Sequence, residues 1–319
     1  MRFKIHGLSI LTALVVGVSA VCVQAQDEEE GVRGAFLTSR PTAAVSAGVS
    51  TGNTGKAGSG APRRRRRPPV RTSSTNRTTT SQTSSSRVKP VTTTTTASSN
   101  NTTATVSTSA PIGLGYTLFM RDANGDAVRV DPDREFRTGD RVRVSMETNT
   151  DGYLYIFNTT DNGDPVMIYP DAQLDEGGNY VEAHVPYEVP ASTAAEERLR
   201  WFTFDAKPGT ERLYIVVTRE PLPGVPIEDD LVNYCRQNQG KCPWRPSSTM
   251  WAQVGAGMNA QAKMVKSKKT YGQAQTRGER DATTRGLSLS QSEPPPAVIR
   301  INVSSNTGVL VTALDLIHR

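Results

Sequence analysis

Few side chains in this 319-residue chain have the chemistry to attack a substrate, bind a metal or carry a proton near neutrality. The cysteines are Cys22, Cys235 and Cys242, and the histidines are His6, His184 and His318. A hydrolytic triad needs a histidine, and His184 is the one inside the β-patterned part of the chain. Alternation puts it on an outward strand face, which reads as a structural or solvent role, and no Gly-x-Ser-x-Gly elbow is present. Cys235 and Cys242 have too few ligands nearby for a metal site. They read as a disulfide closing a short loop that turns at Gly240, with free thiols as the alternative. The acidic pairs Asp175-Glu176 and Glu196-Glu197 lie in polar sequence and read as solvated surface.

Two oxygen-rich stretches, Asp122-Ala123-Asn124-Gly125-Asp126 and Asp161-Asn162-Gly163-Asp164, have the composition of a calcium loop. In the first the glycine falls too early for an EF-hand and no Glu stands at loop position twelve, so a hairpin turn is the better reading. The second reads the same way. Gly255-Ala256-Gly257-Met258-Asn259-Ala260 fits a dinucleotide fingerprint as a string, but it has no strand before it and no crossover after it. It reads as a small-residue segment, and no cofactor is expected. The run Arg63-Arg64-Arg65-Arg66-Arg67 is the strongest electrostatic feature. Clustered guanidinium groups bind phosphates by charge and by forked hydrogen bonds. There are no interleaved aromatics to stack bases, which argues against nucleic acid. Anionic lipids, lipopolysaccharide or wall polymers are the partners such a run suits, against the plain alternative of a solvated spacer or processing site.

The elements around these residues fall into five parts. Residues 1–25 read as a secretory signal, with Arg2 and Lys4, an apolar run from Leu8 to Val18, and Val23-Gln24-Ala25 at the cleavage site. The apolar run is short of the ~20 residues a membrane span needs. Cys22 raises acylation as an alternative, although Val21 precedes it where a small residue is wanted. Residues 26–110 read as a disordered basic arm rich in Ser and Thr, with Phe36 as its one aromatic residue. From residue 31 to 110 the arm holds 12 basic residues and no acidic one, whereas 111–225 holds 11 basic against 20 acidic. Residues 111–225 show period-two patterning. Val142, Val144 and Met146 face inward, Tyr153 to Phe157 is apolar on both faces, and Val181, Ala183 and Val185 form another inward set. Regular turn signals predict an antiparallel, immunoglobulin-like β-sandwich in a mainly β chain. Residues 226–294 read as an insertion with short helices near Glu228–Gln237 and Thr249–Val265, then a polar loop from Lys266 to Pro296. Residues 295–319 read as a terminal hairpin that completes or flanks the sandwich. Most aromatics at strand positions read as core, whereas Trp244 and Trp251, in the insertion, are a possible contact surface.

Several short segments occur here in a familiar order: Phe136-Arg137-Thr138-Gly139-Asp140-Arg141-Val142-Arg143, Asp151-Gly152-Tyr153-Leu154-Tyr155-Ile156-Phe157, Ile168-Tyr169-Pro170 and Pro208-Gly209-Thr210-Glu211. On these residues the stretch from Tyr116 to Leu222 resembles the bacterial "domain of unknown function 4384" family. The resemblance implies a small β-sandwich with an auxiliary or envelope role and carries no catalytic residues with it. The expectation is an exported, non-enzymatic binding or adaptor module in the periplasm or cell envelope, with an unidentified protein partner. The alternatives are an envelope-polymer hydrolase using carboxylates such as Asp171, Asp175 and Glu176, or a regulatory partner of a separate kinase or protease.

Overall fold

The computed structural model of the chain describes residues 29–45, 110–172, 178–238 and 242–319. The signal segment with Cys22, the arginine run Arg63–Arg67, the Ser/Thr tract, and Asp175 and Glu176 lie outside the described residues.

Two sheets face one another. Chain order gives β1 (Gly113–Arg121), β2 (Ala127–Val130), β3 (Glu135–Phe136), β4 (Arg141–Thr148), β5 (Gly152–Thr160), β6 (Val166–Tyr169), β7 (Tyr180–Val181), β8 (Tyr187–Val189), β9 (Phe202–Thr203) and β10 (Gly209–Thr218). The later strands are β11 (Ala262–Lys266), β12 (Val298–Asn302) and β13 (Val309–His318). One sheet has seven strands in the order β11-β12-β1-β4-β8, with β2 on β1 and β9 on β4. The other has six in the order β3-β13-β10-β5-β6, with β7 on β5. All pairings are antiparallel except the two-residue contact of β3 with β13.

The period-two reading places the core correctly. Leu114, Tyr116, Leu118, Val142, Val144 and Met146 of the first sheet meet Leu154, Ile156, Ile215, Val217, Leu310 and Leu314 of the second in one buried cluster. Successive strand residues point to opposite faces, so Tyr153, Tyr155 and Phe157 emerge on the far side of the six-stranded sheet. There they meet a helical cap made by α2 (Glu228–Gln237) and α3 (Ser248–Met258). This explains why β5 is apolar on both faces. A disulfide joins Cys235, near the end of α2, to Cys242, with Cα atoms 5.4 Å apart.

Several expectations need correction. Residues 226–294, read as an insertion with short helices and a polar loop, pack on the sandwich and are more structured than that. They supply the cap, the edge strand β11 and a further helix, α4 (Arg277–Arg285), where the sequence suggests only a polar loop. The helix predicted to reach Val265 stops at Met258, and its last stretch is β11 instead. Val181 to Val185 is not one strand. β7 ends at Val181 and His184 takes a left-handed backbone at φ +61°, turning the chain into β8. The terminal strands do not form a hairpin with each other: β12 pairs with β1 and β11 in one sheet, and β13 with β10 in the other. They complete the sandwich by crossing between sheets. Finally, residues 29–45 do not belong to a disordered arm. They form a helix over 29–37, here α1, followed by an extended strap, and Phe36 is fully buried.

Candidate functional site: a covered face of buried charges

An antiparallel sheet with one face in the core normally leaves the other to water. Much of the outward face of the seven-stranded sheet is accordingly polar or charged, with Thr117 on β1, Arg129 on β2, Arg143 and Glu147 on β4, and Glu188 on β8. Yet all five are buried, Arg129 at 1% exposure and Glu147 at 3%. The strap 29–45 and the segment from Ser267 to Ala297 cover them. Burying charge is costly unless it is paired and hydrogen-bonded, so the covering segments are polar in turn.

Glu147 is the centre. Arg40 from the strap grips it with two parallel bonds: Nε donates to Oε1 at 2.8 Å and Nη2 to Oε2 at 2.6 Å. His184 Nδ1 lies 2.7 Å from Oε1 of the same carboxylate. The remaining Arg40 donors reach main-chain carbonyls of Glu293 at 3.0 Å, Pro294 at 3.3 Å and Ser290 at 3.4 Å. Such a set matches the planar fork of arginine, with five donors, better than an ammonium. The left-handed turn at His184 is what aims its ring at Glu147, and the ring meets Phe36 edge-on at 5.7 Å between centroids.

A second group lies further along the same face. Gln275 Nε2 donates to Glu188 Oε1 at 2.6 Å, and Arg143 Nη2 donates to Gln275 Oε1 at 3.4 Å. Arg143 Nε is 3.3 Å from Glu188 Oε2, close enough for charge attraction but not aligned as a hydrogen bond. Burial holds the Arg143 guanidinium below its ordinary pKa and Arg200 adds to this, with Glu188 opposing. Its guanidinium also lies 4.3 Å over the Trp201 ring, a favourable place for a desolvated cation. A third pair, Arg129 with Glu279, ties β2 to α4. Glu279 does double duty there, because it and Thr276 form the capping box that starts the helix.

Apolar side chains seat the strap. Val32 and Phe36 join Val265 and Ile299 in a cluster on the outside of the seven-stranded sheet. Gly113 and Gly115 make room: a Cβ on either would stand 3.1 Å from the Phe36 ring, and on Gly115 also 2.4 Å from Pro296.

The other residues singled out from sequence do not join this site. Asp122 caps its own turn, Oδ1 accepting from the backbone N–H of Asn124 at 2.9 Å and Asp126 at 2.7 Å. Asp161 and Asn162 both adopt left-handed backbone, and Asp161 Oδ1 accepts from Thr210 N at 2.8 Å. Both stretches are hairpin turns, and no cluster of His, Cys, Asp and Glu among the described residues has the geometry of a metal site. Gly255 and Gly257 lie inside α3. A Cβ at Gly257 would come within 2.5 Å of Val311, so this glycine lets the helix lie close on β13. Trp251 packs edge-on against Tyr214 at 4.7 Å and Phe157 at 5.8 Å. Trp244 is likewise half-buried against the cap, and its carbonyl accepts from Met167 N at 2.8 Å. Glu196 and Glu197 pair with Arg198 and Arg121. Sequence reading missed Phe36 and Arg40 altogether. The signal available was the spacing Val32, Phe36, Arg40, one helix face with an arginine at its end.

A family model described as "Domain of unknown function (DUF4384)" matches residues 135–221, which bears out the resemblance read from the short motifs. The match runs from β3 to just beyond β10, so the strap, β1, the cap and the last three strands lie outside it. No curated protein and no solved structure matches the chain. No helix among the described residues is long and apolar enough to cross a membrane.

Proposed function

We propose that the chain is an exported, non-enzymatic binding or adaptor module of the bacterial cell envelope, whose basic segment engages anionic envelope components. The observation that carries this reading is the separation of charge. Residues 46–109, between the strap and β1, hold 10 basic and no acidic residues, whereas residues 111–225 hold 11 basic against 20 acidic. The folded unit holds both ends of the segment containing Arg63–Arg67. Val45 exchanges bonds with Ser288, and the carbonyl of Ala110 accepts from Arg219. The basic segment is therefore anchored at two points rather than trailing from one.

The Cys235–Cys242 disulfide suits an oxidising compartment outside the cytosol. The non-enzymatic reading is supported by where the titratable side chains go. His184 is committed to Glu147, and the described acidic pair Glu196-Glu197 is committed to arginines.

Co-sedimentation of the mature protein with purified envelope across a salt series tests the reading. Pelleting should weaken as salt rises, because exposed charges are screened over about 10 Å at 0.1 M. Replacing Arg63 to Arg67 by Gln should abolish the salt-sensitive part. Equal pelleting of this variant would remove the basic segment from the account. Turnover of wall, glycan or peptide substrates that is lost on replacing Asp171 would favour the hydrolase reading instead.

A further inference from the structure

Residues 29–45 contact the body of the protein as a docked peptide would. The contacts come from one helix face, Val32 and Phe36, then Arg40 one turn on, the pattern by which helices fill grooves. The socket is shaped for them, with two glycines beneath the Phe36 ring and, beyond it, a buried carboxylate with three carbonyls turned to a single guanidinium. After Arg40 the backbone runs beside 288–291. Gln291 N donates to the Pro41 carbonyl at 3.0 Å and Ser288 N to the Val45 carbonyl at 2.9 Å. Sixty-four residues, 46–109, then intervene before Ala110. Covalent geometry allows such a length to reach ~210 Å at ~3.3 Å per residue, several sandwich widths.

We propose that this covered face is a helix-docking groove that takes residues 29–45 from a second copy of the chain as well as from its own, so that copies brought together exchange straps. Specificity comes from the groove. Phe36 fills the glycine socket, and Arg40 neutralises a carboxylate that would otherwise be left buried with His184 alone. In dilute solution the chain's own strap is favoured, because the tether raises its effective concentration. Exchange becomes important where copies are crowded. The proposal does not depend on the envelope reading, since it concerns only the groove and its occupant.

A disulfide trap tests it with full mature chains. Val45 and Ser288 are neighbours, joined by Val45 N to Ser288 Oγ at 3.1 Å and Ser288 N to the Val45 carbonyl at 2.9 Å, and a Val45→Cys, Ser288→Cys pair that closes within one chain serves as the probe. The two substitutions are then placed on separate copies and mixed under mild oxidation at rising concentration. Cross-linked dimer should accumulate, since each exchange is captured irreversibly. A large excess of free peptide 29–45 should cut the yield at least tenfold, and the same peptide with Phe36→Ala should not. Adding Arg40→Ala to the Ser288→Cys acceptor, which loosens its own strap, should raise it at least tenfold. No dimer over days at high concentration, or a yield indifferent to the free 29–45 peptide, would overturn the proposal.

Discussion

Glu147 shows how much one residue can organise. It projects from the solvent side of a strand, where a carboxylate is ordinarily free, yet it is buried with Arg40 and His184 around it. Removing one partner of a buried ion pair leaves the other charge uncompensated, a loss of about 3–5 kcal/mol. Arg40→Ala should therefore destabilise strap docking by that order. Arg40→Met combined with Glu147→Leu should cost less than the two single losses summed, because neither charge is then left without its partner, although His184 Nδ1 still loses its acceptor. A double-mutant cycle followed by urea denaturation measures the difference, and additive losses would show that the two side chains are not coupled. Gly115 is the apolar counterpart. Its substitution by Ala puts a methyl 2.4 Å from Pro296 and 3.1 Å from Phe36, and overpacking of this kind costs about 1–3 kcal/mol. The same change at exposed Gly139 would be a poor control, because that residue sits at φ +87° and is strained whatever the space. Gly255, with nothing within 4 Å of its Cβ position, is the better one.

Among elements, the contact of α3 with β13 depends on another close approach. Gly257→Ala should push the helix off Val311 and cost about 1–3 kcal/mol, and adding Val311→Ala should recover part of it. Thermal melts of the two variants decide this, and a neutral Gly257→Ala would mean the cap is looser than described. Elements also show which sequence signals could be read. β5 was readable because it is apolar on both faces, and both faces are covered, one by the sandwich core and one by the cap. α2 was readable because Pro226 stands where a helix begins. The stretch from Ser267 to Ala297 was not, because polarity there was taken to mean solvent. Its polar groups instead bond to a polar sheet face and to the edge of β2: Gln275 Nε2 donates to Glu188 Oε1, Arg129 Nη1 to the Ala274 carbonyl, and Gln275 N to the Ala127 carbonyl. The capping box Thr276–Glu279 and Gly286 beyond the helix end were the local signs of α4. Phe36 and Arg40 were hidden for a different reason. Averaged over an 85-residue low-complexity stretch, two residues do not alter composition, and pairing with Glu147 and Gly115 is invisible without the fold. The crossing of β12 and β13 between sheets was equally out of reach, since a turn between two alternating runs looks the same whether or not the runs pair.

For the molecule as a whole, one buried tyrosine, Tyr116, and two half-buried ones, Tyr180 and Tyr271, make a prediction about pH. Tyr180 and Tyr271 are pushed up to about 12, chiefly by burial, with Asp151 assisting at the first and Asp131 and Asp133 at the second. Tyr116 is raised further, again chiefly by burial. Between pH 10 and 12 the unfolded chain would lose protons that the folded chain keeps, so stability present below the ordinary tyrosine pKa falls as pH rises. Melting temperature should drop between pH 10 and 12, and less steeply in Tyr116→Phe. An unchanged slope in a variant with all three tyrosines replaced by Phe would assign the alkaline loss elsewhere. The structural claim on which the rest depends is that residues 29–45 belong to the folded unit, clamped over its charged face. Native-state hydrogen exchange of the full mature chain tests it most directly. The account predicts slow exchange at residues 34–40 in the wild type, and in Arg40→Ala fast exchange there while β5 and β10 stay protected. Exchange of residues 29–45 at free-peptide rates in the wild type would contradict it.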